Sequence, residues 1–230
     1  MKLTVRDVAA LLQVSEKSVY RWTKDADFPS HRVNGQYRFN RAEVLEWATA
    51  HRVPVSPDVL SEPDSHGAPL PSLVQALEDG GIHYRVEGHD KASTLQAVVR
   101  ALHLPDEVDR DYLFRVLLAR EALGSTGVGK GIAIPHVRNP IVLHVPRASI
   151  TLCFLDKPIE FDAIDGQPVH TLFALISPTV RAHLHMLSRL AFALGDPKFH
   201  GVISAQGSRD AIMTAARDVE STIRPERRQP

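Results

Sequence analysis

The chain lacks several features that define whole classes of protein. Its single cysteine, Cys153, excludes an internal disulfide and therefore a disulfide-stapled secreted scaffold. No apolar run approaches the roughly 18 residues that a membrane-spanning helix needs, and the N-terminus has no apolar signal core. The formal net charge is zero, which predicts no global attraction to nucleic acid but can hide a local asymmetry. Because 43% of the 230 residues are hydrophobic and 23% are charged, disorder throughout is excluded, and we expect a soluble, cytoplasmic chain of one or two domains.

Proline, in contrast, is concentrated in one segment. Residues 52–71, RVPVSPDVLSEPDSHGAPLP, contain five prolines and few residues at helical or strand spacing, which favours an extended linker. Residues 1–53 carry nine positive and six negative side chains, a net charge of +3 that leaves −3 for the rest. We expect an N-terminal domain, a linker, a larger second domain and a tail without an assigned role, over residues 1–51, 52–69, 70–222 and 223–230.

The first half of the N-terminal domain predicts two short helices joined by a tight turn. Thr4 is a candidate N-cap with Asp7 three residues on, and Ser15 caps a second helix that runs to about Thr23. This spacing is typical of a helix-turn-helix. The second helix places Val19 and Trp22 inward. The side chains that remain available for phosphates and base edges are Lys17, Ser18, Tyr20, Arg21 and Lys24.

The second half predicts a hairpin and a third helix. The dipeptide Asn34-Gly35 is a strong hairpin signal, and Arg32 and Arg38 flank it as a DNA-contacting wing requires. Asn40 and Glu43 are spaced as a capping box for a helix that carries Val44, Leu45 and Trp47.

The segment LTVRDVAALLQVSEKSVYRWTKDADFPSHRVNGQYRFNRAEVLEWA resembles the winged helix-turn-helix of the excisionase and MerR-like DNA-binding families. The resemblance covers residues 1–51 and implies DNA binding. Because a charge of +3 is modest, specific binding requires two copies of the chain, as in a homodimer, or a partner. A helical interaction module that has lost DNA binding is the alternative.

The second domain alternates helical and strand-like stretches. This alternation predicts an α/β or α+β sandwich, a mixed sheet flanked by helices. Helices are expected over 91–104, 109–122 and 181–194, and strands over 148–155 and 169–176.

A glycine-rich stretch, ALGSTGVGKGIAIPH, is the most informative part of this domain. Residues 124–130 match the P-loop pattern G-x-x-x-x-G-K, which predicts nucleotide binding. Three features oppose that interpretation. Gly131 stands where a Ser or Thr must hold magnesium, a helix rather than a strand leads into the loop, and a strand ending at Pro135 follows it.

The run LLAREALGSTGVGKGIAIPH resembles the active-site signature of the enzyme IIA domain of the sugar phosphotransferase system, fructose/mannitol type, and most of all its nitrogen-regulatory branch. Two further segments, IEFDAIDGQPV at 159–169 and AHLHMLS at 182–188, agree with that family in the same order. The resemblance covers nearly all of residues 70–222.

The resemblance implies a set of site residues. His136 is the phosphoryl acceptor, His183 is the second active-site histidine, Arg120 grips the phosphoryl oxygens, and Ser125 is a possible loop donor. His185 lies close to His183 in sequence and is the rival for its role. The pair does not predict a zinc site, since residues two apart on a helix point in different directions and no third ligand is evident; we expect no metal and no cofactor.

A phosphorylatable domain joined to a DNA-binding domain predicts a regulator. We expect a histidine phosphocarrier protein to donate the phosphoryl group and DNA to bind the N-terminal domain, with no membrane partner. No permease segment and no loop cysteine suited to a second relay accompany the domain, which argues against sugar transport by this chain. Two alternatives stay open: a carrier that passes the group to another protein, and an unphosphorylated protein-binding sensor with a vestigial DNA module.

Overall fold

The structure, a computed structural model, describes residues 2–25, 28–33, 35–51, 53, 70–137 and 145–223. Nearly all of the predicted linker and tail, and Asn34 of the predicted turn, lie outside these residues, and the boundaries of the linker stay a prediction. No helix in the described part of the chain combines the length and apolar character that crossing a bilayer requires.

The N-terminal domain has the predicted order of elements. Its helices and strands are β1 (Lys2–Leu3), α1 (Val5–Leu11), α2 (Glu16–Trp22), β2 (His31–Val33), β3 (Gln36–Asn40) and α3 (Arg41–Ala50). Thr4 and Asp7 cap α1 reciprocally: the Asp7 carboxylate accepts from the Thr4 backbone N–H at 2.8 Å, and Thr4 Oγ1 accepts from the Asp7 N–H. The hydrogen bonds that the Asp7 carboxylate accepts from the Thr4 N–H and hydroxyl hold its pKa below the usual value. Ser15 caps α2 through the Ser18 N–H.

An aromatic core holds the three helices and the wing of this domain together. Trp22, Phe28 and Trp47 pack against one another with ring centroids 4.7 to 5.7 Å apart, and Phe39 of the wing contacts Phe28. Val19 is fully buried, and Trp22 is partly buried, as the helical spacing predicts.

The second domain is a mixed five-stranded sheet with helices on both faces, in agreement with the predicted fold class. The strands lie in the order β4-β7-β8-β6-β5; β4 is parallel to β7, β6 is parallel to β8, and the other pairs are antiparallel. The elements are α4 (Leu73–Gly80), β4 (Ile82–Val86), α5 (Lys91–Ala101), α6 (Arg110–Ala122), β5 (Gly127–Gly129), β6 (Ile132–Ala133), β7 (Ser149–Ile159), β8 (Val169–Ile176), α7 (Val180–Gly195), α8 (Pro197–Ser204) and α9 (Arg209–Thr222).

Alternation along the central strands separates two apolar cores. In β8, Phe173 and Leu175 face the core formed with α4, α7, α8 and α9, whereas Leu172 and Ala174 face the core formed with α5 and α6. Successive side chains of a strand point to opposite faces of the sheet. When helices cover both faces, the sequence of a central strand is therefore a nearly continuous apolar run. Cys153 of β7 lies in the second core, where burial raises the pKa of its thiol to about 12.

Element bounds agree with the expected ones to within a few residues. The helix expected over 91–104 ends at Ala101, because Leu102 is extended and Pro105 lacks the backbone N–H that a longer helix needs. The strand expected over 148–155 continues to Ile159.

The two domains are in contact through α3. This helix lies against α7 and β5 of the second domain. Leu184 of α7, although it belongs to the second domain, packs against the apolar core of the first.

Candidate active site

The glycine-rich stretch forms a tight β-hairpin. β5 and β6 are joined by Lys130 and Gly131, which both have positive φ, 54° and 73°. Two consecutive positive φ values suit a two-residue hairpin turn, and Gly supplies one of them without steric cost. Space at Gly131 is limited as well, because a Cβ there would lie 2.3 Å from His170 Nε2. A helix leads into the stretch and a strand follows, so the fold is not that of a P-loop.

A buried carboxylate fixes the start of this hairpin. Both oxygens of Glu121, at the end of α6, accept hydrogen bonds from the Thr126 N–H at 3.0 and 3.1 Å, and Oε2 also accepts from Thr126 Oγ1 at 2.6 Å. Lys91 Nζ lies 3.5 Å from Glu121 Oε1 and 2.8 Å from Asp162 Oδ2. Glu121 is only 5% exposed, so these partners compensate its burial. The sequence interpretation did not include Glu121, although it adjoins Arg120.

Two of the expected site residues help to shape the loop itself. The Ser125 hydroxyl donates to the Phe161 carbonyl and accepts from the Gly127 N–H at 3.0 Å. Arg120 NH1 donates to the Gly124 carbonyl at 2.9 Å, which closes the end of α6. Both side chains therefore border the hairpin, and their roles toward a phosphoryl group stay predictions.

His136 follows β6, on the side where β6 and its parallel neighbour β8 both end. The Leu175 N–H donates to the Pro135 carbonyl at 2.9 Å, so the backbone of this segment continues alongside β8. His136 Nδ1 lies 2.7 Å from the Ile134 carbonyl oxygen, which can only accept a hydrogen bond. The proton of the neutral imidazole is therefore on Nδ1, and the lone pair is on Nε2.

His183 reaches the same place from the first turn of α7. β8 runs parallel to β6, and the chain passes through Ser177 directly into α7, whose N-cap is Thr179. The rings of His136 and His183 have centroids 5.2 Å apart at an angle of 45°, and His183 Nδ1 lies 3.3 Å from Ser177 Oγ. The N-terminal end of a helix carries partial positive charge, so this position favours an anion.

His185 points elsewhere. Its Nε2 lies 3.1 Å from the Pro71 carbonyl oxygen, and burial lowers its pKa to about 4. The structure thus brings His183, and not His185, to His136. Among the described residues, no three His, Cys, Asp or Glu side chains are arranged to hold a metal ion.

The expected DNA-contacting residues lie on α2, on the wing and, for Lys24, in the turn directly after α2. Lys17, Tyr20, Arg21 and Lys24 are exposed, Tyr20 by 49%. Ser18 is partly buried, and its hydroxyl lies 3.0 Å from that of Ser15. Arg32 lies in β2 opposite Tyr37, and Arg38 of β3 donates to the Tyr37 carbonyl and to Gln36 Oε1.

Comparison with known families agrees with this division of the chain. Residues 3–52 match a family described as a helix-turn-helix domain, and residues 75–217 match the family described as phosphoenolpyruvate-dependent sugar phosphotransferase system, EIIA 2. The second match spans more than half of the 230 residues, so the chain belongs to the EIIA 2 family and carries a helix-turn-helix domain in front of it. Both resemblances read from the sequence are confirmed.

The relatives identify the branch within the family. The chain is 38% identical to a nitrogen regulatory protein of Escherichia coli over 144 residues, 60% of this chain and 85% of the relative. It is 36% identical to one of Pseudomonas aeruginosa over 160 residues, 65% of this chain and 97% of the relative. The crystal structure of nitrogen regulatory protein IIA-Ntr from Neisseria meningitidis superposes with a TM-score of 0.51 at 29% identity, covering 59% of this chain and 92% of that one. This protein is therefore a relative of the nitrogen regulatory IIA proteins.

Proposed function

We propose that the chain is a cytoplasmic regulator that accepts a phosphoryl group on His136 from a histidine phosphocarrier protein and couples this modification to DNA binding by its N-terminal domain. The observation that carries the proposal is the pairing of His136 and His183 at one sheet edge, beside the first turn of α7. The name of the relatives, nitrogen regulatory protein, supports a regulatory role.

The geometry of His136 indicates which nitrogen reacts. Because Nδ1 holds its proton toward the Ile134 carbonyl, Nε2 supplies the electron pair that forms the new P–N bond. In the same step the P–N bond of the donor's phosphohistidine breaks, and its electron pair returns to the donor imidazole. No proton has to leave His136 for the bond to form, so the reaction depends mainly on positioning and on stabilising the negative charge spread over three oxygens.

The groups around His136 are suited to that stabilisation. His183 lies beside the ring and would donate to a phosphoryl oxygen, and the first-turn N–H groups of α7 add partial positive charge. Arg120, carried over from the family signature, would supply a charged and bidentate contact. These roles are part of the proposal.

Mass spectrometry of the intact chain tests the phosphoryl step. Wild type, His136→Ala and His185→Ala are incubated with phosphoenolpyruvate, enzyme I and the histidine phosphocarrier protein. We expect one phosphoryl adduct on wild type and on His185→Ala, and none on His136→Ala. No adduct on wild type, with the donor proteins shown to be active on another acceptor, would overturn the phosphoryl step. Transfer of the phosphoryl group from this chain to a permease domain would instead favour the alternative in which the chain only carries the group to another protein.

The DNA-binding half of the proposal depends on the exposed side chains of α2. Two copies of the chain, as a homodimer, would present two such helices to successive half-sites and so compensate for the modest charge of each. We expect Lys17→Ala/Arg21→Ala to weaken binding to the promoter next to the protein's own gene. The slope of log K against log salt concentration should fall by about two for each copy bound, or about four for a homodimer.

A matched variant removes the same charge from the second domain. Lys198→Ala/Arg217→Ala changes two exposed cations outside the N-terminal domain, and we expect it to bind DNA like wild type. Gel-shift titrations at two salt concentrations measure both pairs. Unaltered binding by Lys17→Ala/Arg21→Ala would show that α2 is not the recognition helix.

A further inference from the structure

Helix α3 covers the elements that border His136. His183 lies in the first turn of α7, and β5 is the hairpin partner of β6, which leads to His136. α3 lies against both α7 and β5. The contact is apolar, since Leu184, directly after His183, packs against the core that contains Val44, Leu45 and Ala48 of α3.

Access to the acceptor is small. His136 and His183 are each only 4% exposed. In-line transfer requires the reacting atoms to approach to about 3–3.5 Å, and a protein donor needs a surface several residues wide around Nε2 for that approach. The elements on which such a donor would land, α7 and β5, are the ones that α3 contacts.

The DNA-contacting side chains, in contrast, stay accessible in this arrangement. Lys17, Tyr20 and Arg21 of α2, and Lys24 directly after it, are exposed while α3 is docked. The docked state therefore covers the acceptor face of the second domain and not the recognition helix. Undocking would separate the two domains, but it is not needed to expose α2.

We infer that the N-terminal domain is a competitor, within the same chain, of the phosphoryl donor protein: α3 and the donor bind the same face around His136. This inference rests on the proposed function of His136. Docked chains exclude the donor, and phosphorylation takes place on undocked chains. By linkage, docking weakens donor binding by the same factor by which a bound donor weakens docking, so whatever stabilises docking slows phosphorylation.

The connection between the domains permits this exchange. From Val53 to Leu70 the chain can span at most about 60 Å when fully extended. A tether long enough to span two sites makes their association intramolecular, with effective concentrations that reach the millimolar range. A tethered domain at such a concentration competes with a donor protein even when the contact is small, and undocking leaves it within reach to return.

Substitution of Leu184 tests the competition in the full chain. Leu184→Glu places a charge in the apolar contact with the N-terminal core, which disfavours docking. We expect it to be phosphorylated at least about fivefold faster than wild type, since the rate follows the fraction of undocked chains. Intact mass against time gives the rate, and hydrogen exchange of β5 and the first turns of α7 reports docking independently.

The control makes the same chemical change on the same helix. Phe192→Glu alters an exposed residue of α7 that does not pack against the N-terminal core, and we expect wild-type rate and protection. Equal or lower rates for Leu184→Glu, or unchanged hydrogen exchange in β5 and α7, would overturn the competition while the adduct on His136 keeps the proposed function. If neither wild type nor any variant gains a phosphoryl adduct, the proposed function fails. Faster hydrogen exchange of β5 and α7 in Leu184→Glu, but not in Phe192→Glu, would in that case still support docking on this face.

Discussion

At the scale of single residues, the buried Glu121 is the most sensitive position next to the site. Glu121→Gln can keep its oxygen at the Oε2 position, toward the Thr126 N–H and hydroxyl, but its NH₂ group then faces the Thr126 N–H and the Lys91 ammonium in place of Oε1. We expect the free energy of unfolding to fall by about 1–3 kcal/mol. Urea denaturation of wild type and variant measures the loss.

Asp162→Asn is the matched control for this change. It neutralises the other carboxylate on Lys91, but the Asp162 side chain is 86% exposed, and exposed ion pairs contribute only about 0–1 kcal/mol. A loss as large as that of Glu121→Gln would mean that charge on Lys91, rather than the hydrogen bonds of Thr126, is the cause.

Residue identity within the site was predicted unevenly. The family signature distinguished His183 from His185, and the geometry agrees, since the former lies beside His136 and the latter contacts Pro71. Glu121 was missed because its importance depends on Thr126 and Lys91. Lys91 is distant in sequence, and no periodicity shows that α5 would bring it to α6.

At the scale of elements, the hairpin of β5 and β6 depends on Gly131. Gly131→Ala introduces a Cβ at a φ of 73° and about where His170 Nε2 lies, so it adds both backbone strain and a collision. We expect a loss of about 1–3 kcal/mol in the free energy of unfolding, measured by urea denaturation.

Two further variants separate these two causes. Gly124→Ala also occupies a positive φ, 147°, but nothing lies within 4 Å of its Cβ, so it carries the backbone strain without a collision. Gly131→Ala/His170→Ala removes the collision and should recover part of the loss. No recovery would assign the whole effect to the backbone.

The elements that were predicted from the sequence are those with a strong local pattern. The strand expected over 169–176 is β8, and the helix expected over 109–122 is α6 with its N-cap Asp109. α4, β4, α8 and α9 were not assigned individually. β4 alternates weakly and owes its place to parallel pairing with β7, a non-local contact that its own five residues do not encode.

At the scale of the whole molecule, His185 links stability to pH. Its pKa is about 4 in the folded chain, because burial disfavours the charged form, against 6.5 when the chain is unfolded. Between about pH 6.5 and 4, the unfolded chain therefore binds a proton at His185 and the folded chain does not. The free energy of unfolding falls as the pH drops through this range. His185→Gln keeps a donor for the Pro71 carbonyl and removes the titration, so we expect a shallower fall.

Denaturant unfolding at several pH values between 4 and 7.5 compares wild type with this variant. His83 and His170 also have lowered pKa values through burial, so the wild-type slope contains their contributions, and only the difference between the chains reports His185. His89→Gln makes the same substitution at an exposed histidine and is the matched control. Identical slopes for wild type and His185→Gln would contradict the assignment.

The contact between the domains was not predicted from the sequence. Helical periodicity marks α7 as amphipathic, but a pattern identifies an apolar face without naming its partner. The sequence assigned Leu184 no partner, whereas in the structure this residue of the second domain packs against the core of the first.

The place where the chain joins the second domain has a consequence for geometry on DNA. Glu220 of α9 accepts from the Leu73 and Val74 N–H groups and pairs with Arg189 of α7, and His185 contacts Pro71, so this end of the connection is fixed to the body of the domain. Its reach of about 60 Å corresponds to about 18 base pairs of duplex. With the N-terminal domain bound to DNA as proposed, a phosphorylated second domain would stay within two helical turns of the bound site. There it would meet proteins on the neighbouring DNA far more often than a second domain free in solution would.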